Sequence, residues 1–333
     1  MDDASMDDAG HHFWIKACQM SCGALVLSLS ISAALLPHKV SASPIDPKVT
    51  VVTDDPEGAD YGPQFSPDSQ RLIFERHPLT GGRSETFEVP IQGGKPVPFL
   101  KDHAPVAQTR LRWSAAVNKI AFTGITAQGS TSTWLMDADG THMRPAYPTD
   151  GAHTFYPSWY ANGVKLIELD GDQNALREVN LASGKVEQLT TSPKLLTGMA
   201  SVSPDGKSIA VAAQKDLGQR YNQTLNQVWL ISEKGEAHPL EKEEIQGRAP
   251  TWSPDGARLL FESNHGSPVS LLYAIFVADK DGSHLRQLTP FGWNAQHPVW
   301  SPDGKWIAFS AKLIKAQGFG PGIVIMAAPN AAD

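Results

Sequence analysis

Cysteine is nearly missing from this chain of 333 residues: Cys18 and Cys22 are the only two, both near the N-terminus. Beyond them, disulfides and thiolate-bound metals are excluded, so packing alone must stabilise the fold. After residue 42 no apolar run is long enough to cross a bilayer. Basic charge is scarce too. The net charge is −7, and no stripe of Lys and Arg offers the surface that nucleic acid requires. No Gly-x-Ser-x-Gly elbow, Walker loop or Rossmann glycine pattern occurs.

The first 42 residues read as an export signal. Gly23 to Leu36 is apolar and short, and Val40-Ser41-Ala42 places small residues where a signal peptidase cuts, so the mature chain would start at Ser43. The leading segment is acidic, with Asp2, Asp3, Asp7 and Asp8, which leaves an uncleaved anchor as the alternative. Removing the leader takes four aspartates and two lysines with it and brings the net charge from −7 to −5. The expected location is periplasmic or secreted, without stable membrane insertion once the signal is removed.

What the chain has in abundance is one repeated phrase. Trp300-Ser-Pro-Asp-Gly304-Lys-Trp-Ile-Ala-Phe309, Trp252-Ser-Pro-Asp-Gly256 and Val202-Ser-Pro-Asp-Gly206 are its clearest copies. Phe65-Ser-Pro-Asp-Ser69 follows closely, and Trp113 and Trp159 open two weaker ones. The leading residue recurs at steps of 48, 46, 43, 50 and 48. A period of roughly 40–50 residues with short strands in each unit marks β-propeller blades. Pro, Asp and Gly suit a tight turn, because Pro presets φ, Asp bonds the local backbone and Gly accepts positive φ. The strand after the turn becomes continuously apolar, as expected for a sheet buried on both faces.

These features predict one all-β domain over residues 43–333, a six-bladed β-propeller. The last unit lacks a fourth strand, and Lys48–Thr53 is a strand without a unit. That segment is expected to pair in the last blade and close the ring, which removes exposed edges. Asp68, Asp205, Asp255 and Asp303 belong to the repeated turn and are assigned a structural role.

The repeat resembles the WD40-like Pro-Asp repeat of the TolB family, most clearly over Asp279–Thr289 and Gln296–Phe309. It covers about residues 48–328. The resemblance implies a TolB-like propeller. The α/β domain that precedes the propeller in that family is not expected, since only Ser43 to Pro47 separate the cleavage site from the closing strand. Nor is the hydrolase domain that follows related propellers in prolyl-oligopeptidase-like enzymes. The expected function is a non-catalytic scaffold that binds a protein or peptide of the cell envelope through one face, since rigid loop-bearing faces suit such contacts, acting as a monomer without a cofactor.

Residues just before each innermost strand are expected to line the channel mouth: Tyr61, Arg110, Tyr156, Met199, Arg248 and His297, with Gln296 beside the last. Two Arg, two Tyr and a His suit an acidic peptide, a carboxylate or a sugar. The histidines suggest an alternative. His103, His153 and His297 are placed in blade-to-blade loops, with His77 and His265 in other loops of the same face, and His142, His238 and His284 opposite. Oligogalacturonate lyases resemble this architecture and use a His-rich metal site with a Gln ligand. That resemblance implies a divalent metal on His153, His265 and His297, and a metal-dependent carbohydrate lyase or hydrolase.

Overall fold

The computed structural model describes residues 49–100, 106–148, 151–241, 245–269, 272–312 and 320–329. Residues 1–42, read as an export signal, and His103 lie outside them. Six four-stranded antiparallel sheets form a closed ring. Five are built from consecutive strands, beginning at Gly58–Phe65, Ala107–Ser114, Thr154–Trp159, Leu195–Val202 and Arg248–Trp252. Those first strands, with Gln296–Trp300 of the sixth blade, adjoin one another around the central channel. Among the described residues the only helices are two short turns, Gln223–Leu225 and Phe291–Trp293. None is long and apolar enough to cross a membrane.

The sixth sheet takes its outer strand from the other end of the chain. Val49–Val51 runs antiparallel to Gly322–Ala327, with Val49 opposite Met326 and Val51 opposite Val324. The seal extends two residues further. The Val52 N–H donates to the Ile323 carbonyl at 2.8 Å, and the Ile323 N–H donates to Thr53 Oγ1 at 2.9 Å. Gly322 is required here because a Cβ would lie 2.0 Å from the Thr53 carbonyl oxygen. Of the expected Lys48–Thr53, the described strand is Val49–Val51, with Lys48 outside the described residues, and it sits where expected.

Each repeated turn is held by its own polar atoms. In blade 4, Ser203 Oγ donates to Asp205 Oδ1 at 2.6 Å, and that oxygen also accepts the Lys207 N–H at 3.1 Å. These two bonds hold the Asp205 carboxyl below its ordinary range despite slight desolvation. The fourth turn position has positive φ, at 72° in Gly206 and Gly304. Blade 1 places Ser69 there at 60°. This is why a glycine recurs at that position.

The second strand of each blade shows why the apolar run is unbroken. Leu72 and Phe74 pack toward blade 6, while Ile73 between them packs toward blade 2. Leu259 and Phe261 face blade 4, and Leu260 faces blade 6. Both sheet faces are interior, so the core is six layers between blades. Truncating one of these phenylalanines to alanine should cost about 3–5 kcal/mol.

Candidate functional site

All six innermost strands break register, five of them at the same depth and blade 4 one residue earlier. Pairing jumps from Tyr61 to Gln64, Thr109 to Arg112, Phe155 to Ser158, Thr197 to Ala200, Arg248 to Thr251 and Gln296 to Val299. Two residues on the inner strand thus oppose one on its partner, which is a β-bulge in every blade. Its second residue is proline in four blades: Pro63, Pro157, Pro250 and Pro298. Proline fits because the ladder asks for no N–H there. In five blades the first bulge residue is left-handed: Gly62, Arg110, Tyr156, Ala249 and His297, with φ between 47° and 58°. Such a conformation costs a non-glycine residue about 1–2 kcal/mol.

The neighbouring blade compensates for that strain at three junctions. A buried side chain on the preceding blade's second strand accepts the left-handed residue's N–H. Glu75 accepts from Arg110, Thr123 Oγ1 from Tyr156 at 3.0 Å, and Glu262 Oε2 from His297 at 3.3 Å. Glu75 also accepts from Thr109 Oγ1 at 2.7 Å and lies 3.5 Å from His77 Nε2. Burial works to raise the Glu75 pKa, but the His77 hydrogen bond and the Arg110 charge outweigh it and hold the carboxyl down. Bulge, strain and clamp together set where each channel side chain points.

This geometry re-sorts the residues expected at the mouth. They lie inside the innermost strands rather than ahead of them. They are not equivalent either: Arg110, Tyr156 and His297 occupy the left-handed bulge position, whereas Tyr61, Arg248 and Gln296 precede it. Met199 is the second bulge residue of blade 4, where the bulge sits one residue farther from the repeated turn. Arg248 is consumed structurally. Its Nη2 donates to Glu262 Oε1 at 2.9 Å, and its guanidinium stacks 4.4 Å from the Tyr273 ring centre. Burial would lower the Arg248 pKa, but the Glu262 and Tyr273 charges raise it overall, so it stays cationic. Tyr61 is buried edge-on between His77 and His297, at 5.4 and 6.1 Å.

A cavity of about 100 Å³ occupies the channel. Of the expected residues, Arg110, Met199 and His297 line it; Tyr61, Tyr156, Arg248 and Gln296 are outside its lining. The residue immediately before each repeated aromatic or valine lines it in every blade: Gln64, Arg112, Ser158, Ser201, Thr251 and Val299. Arg112 is the one charged member of that ring, and the sequence reading missed it. The repeat itself carries the signal, since that position is one step from the landmark residue. The Arg112 guanidinium donates from Nη1 to the Leu111 carbonyl at 2.9 Å and forms no ion pair among the described residues. Burial and the nearby Arg110 charge lower it to about 10, against the pull of Glu75, which leaves it cationic at neutral pH.

His297 is 7% exposed, and its Nδ1 has no hydrogen-bond partner. Burial first, then Arg110, Arg248, Arg112 and His77, push its pKa well below the ordinary value, so it is neutral. The loop assignments for two histidines are therefore corrected: His297 and His77 sit within strands. His153 remains in a loop, 3.1 Å from Asp172 of its own blade, and His265 follows the strand Arg258–Ser263. Among the described residues no three His, Cys, Asp or Glu side chains converge as metal ligands. His153, His265 and His297 do not fit a shared metal.

No protein-family model matches the chain. A stretch of 124 residues is 29% identical to an uncharacterized peptidase, YuxL, of Bacillus subtilis, covering 35% of this chain and 18% of that protein. The structure resembles TolB from Acinetobacter baumannii with a TM-score of 0.58 at 17% identity, over 80% of this chain and 65% of that one. It resembles oligogalacturonate lyase from Vibrio parahaemolyticus with a TM-score of 0.54 at 13% identity, over 86% and 94% of the two chains. The chain thus spans less than a fifth of the curated peptidase and about two thirds of that TolB. In fold it is a TolB-like six-bladed β-propeller.

Proposed function

We propose that this chain is an exported propeller without chemistry of its own, which binds a protein or peptide of the cell envelope in its central channel. In this reading residues 1–42 direct export, the mature chain is monomeric, and neither nucleic acid nor a cofactor takes part. One observation supports it above the rest: the buried acids beside the channel are tied into the scaffold, and so is Arg248. Glu75, Glu262 and Arg248 clamp bulges or each other, and what faces the cavity is a rigid, polar, preformed ring. Preformed concave sites with few convergent polar groups suit recognition.

A photoreactive amino acid in place of Met199, in the chain starting at Ser43, tests this in an envelope extract. The expected result is a defined adduct absent when the probe replaces Val97, an exposed residue on the outermost strand of blade 1. Equal labelling from both positions would count against a channel partner. The lyase alternative is read in parallel. Turnover of oligogalacturonate with added manganese, lost in His297→Asn, would replace the scaffold reading with an enzymatic one.

A further inference from the structure

We propose that the channel contains a carboxylate-binding site in which Arg112 is the primary cation, Arg110 the second, and His297 Nδ1 a polar contact from blade 6. The inference rests on the channel-binding reading and names the chemistry it would use. Three independent observations carry it. First, five members of the six-residue ring are neutral and the sixth is Arg112, and Arg110 of the same strand also lines the cavity, so positive charge enters it from one blade. Second, the Arg112 guanidinium has one hydrogen bond, to a neighbouring carbonyl, and no ion pair among the described residues. Arg110 lies close enough to repel it, and the nearest acid, Glu75, is already engaged by Thr109, His77 and the Arg110 N–H. Third, His297 is more than nine-tenths buried, lines the same cavity, and has an unpartnered Nδ1.

A buried polar atom without a partner costs free energy, and a half-buried guanidinium without an ion pair, as at Arg112, costs more. A carboxylate answers both. Its two oxygens match the fork of one guanidinium, and the remaining lone pairs accept from the second guanidinium and from His297 as the Nδ1–H tautomer. The cavity of about 100 Å³ has room for roughly three waters at ~30 Å³ each. That is the size of a carboxylate with its adjoining methylene, as on an acidic side chain or a chain terminus. It is small for a sugar ring, so the favoured source is a peptide.

Calorimetric titration of the chain from Ser43 would use N-acetyl-aspartate amide as the acidic side chain, N-acetyl-alanine as the free terminus, their neutral counterparts N-acetyl-asparagine amide and N-acetyl-alanine amide, and D-galacturonate. One of the two peptide carboxylates should bind at one site, more weakly as salt rises. Its neutral counterpart and the Arg112→Met variant should each lose on the order of tenfold or more, and Arg112→Lys should recover part of that loss. An unchanged melting curve for Arg112→Met separates lost binding from lost folding. If Arg112→Met melts early, Arg112→Lys and the neutral ligands carry the test. Equal binding of carboxylate and amide, unchanged binding by Arg112→Met, or no heat from either peptide carboxylate would overturn the site. Tighter binding of D-galacturonate than of either peptide would overturn the peptide assignment. If a Met199 adduct persists in Arg112→Met while every carboxylate fails, the partner reading stands and this inference alone falls.

Discussion

Acidifying the protein from about pH 7 to pH 5 should destabilise it through one buried histidine. His297 is 7% exposed in a left-handed bulge, and its surroundings oppose protonation from several sides. Arg110 and Arg112 come from blade 2, Arg248 from blade 5 and His77 from blade 1; Glu262 faces it with a carboxylate, but through the His297 backbone N–H. Its folded pKa is therefore far below the unfolded value near 6.5. Below that unfolded value the denatured chain binds a proton that the native chain does not. Stability is then full above about pH 6.5 and falls with decreasing pH, until the folded pKa is reached. One proton gives a slope of about 1.4 kcal/mol per pH unit, so roughly 2 kcal/mol should be lost by pH 5. His297→Asn is the informative variant, because asparagine tolerates positive φ and carries no titrating group. Urea unfolding of both proteins at about pH 7, 6 and 5 reads the difference in slope directly. Parallel dependence of wild type and variant across that range would refute the argument, since the histidine would then contribute no linked proton.

Three further outcomes are expected. Gly322→Ala should strike the seal between the chain ends by pushing a Cβ onto the Thr53 carbonyl; deleting residues 49–53 should do the same by exposing the edge of Gly322–Ala327. Either should cost about 3 kcal/mol or more and lower the melting temperature by about 6 °C or more; an unchanged melt would reject the closure. Arg248→Met leaves Glu262 buried and without its cation, which should cost about 3–5 kcal/mol in denaturant unfolding; a loss under about 1 kcal/mol would mean the pair does not hold blade 5. Asp205→Ala removes the acceptor shared by Ser203 and the Lys207 N–H and should cost about 1 kcal/mol at neutral pH. Because that carboxyl is depressed when folded, its contribution exists above the unfolded value near 4 and fades as pH falls through the folded one. A wild-type-to-variant gap that persists undiminished in acid would contradict this assignment.

The sequence by itself determined the blades. The recurrence of one turn at near-constant spacing, the continuous apolar run after it, and a strand without a unit at Lys48–Thr53 required six stacked sheets and a seam. Each of these is a local property, a φ preference or a burial pattern on two faces, and local properties are written residue by residue. What only the tertiary structure decided is which side chain reaches the channel. A bulge adds one residue to the innermost strand, and in a structure of period two one added residue sends every later side chain to the other face. Tyr61, Arg248 and Gln296 were thereby separated from Arg110 and His297, and Arg112 was brought in beside them. The charge left without an acid at Arg112 is likewise a fact of three dimensions: Glu75 is spent on the backbone of the adjacent blade, a contact 35 residues away that no pattern along the chain announces.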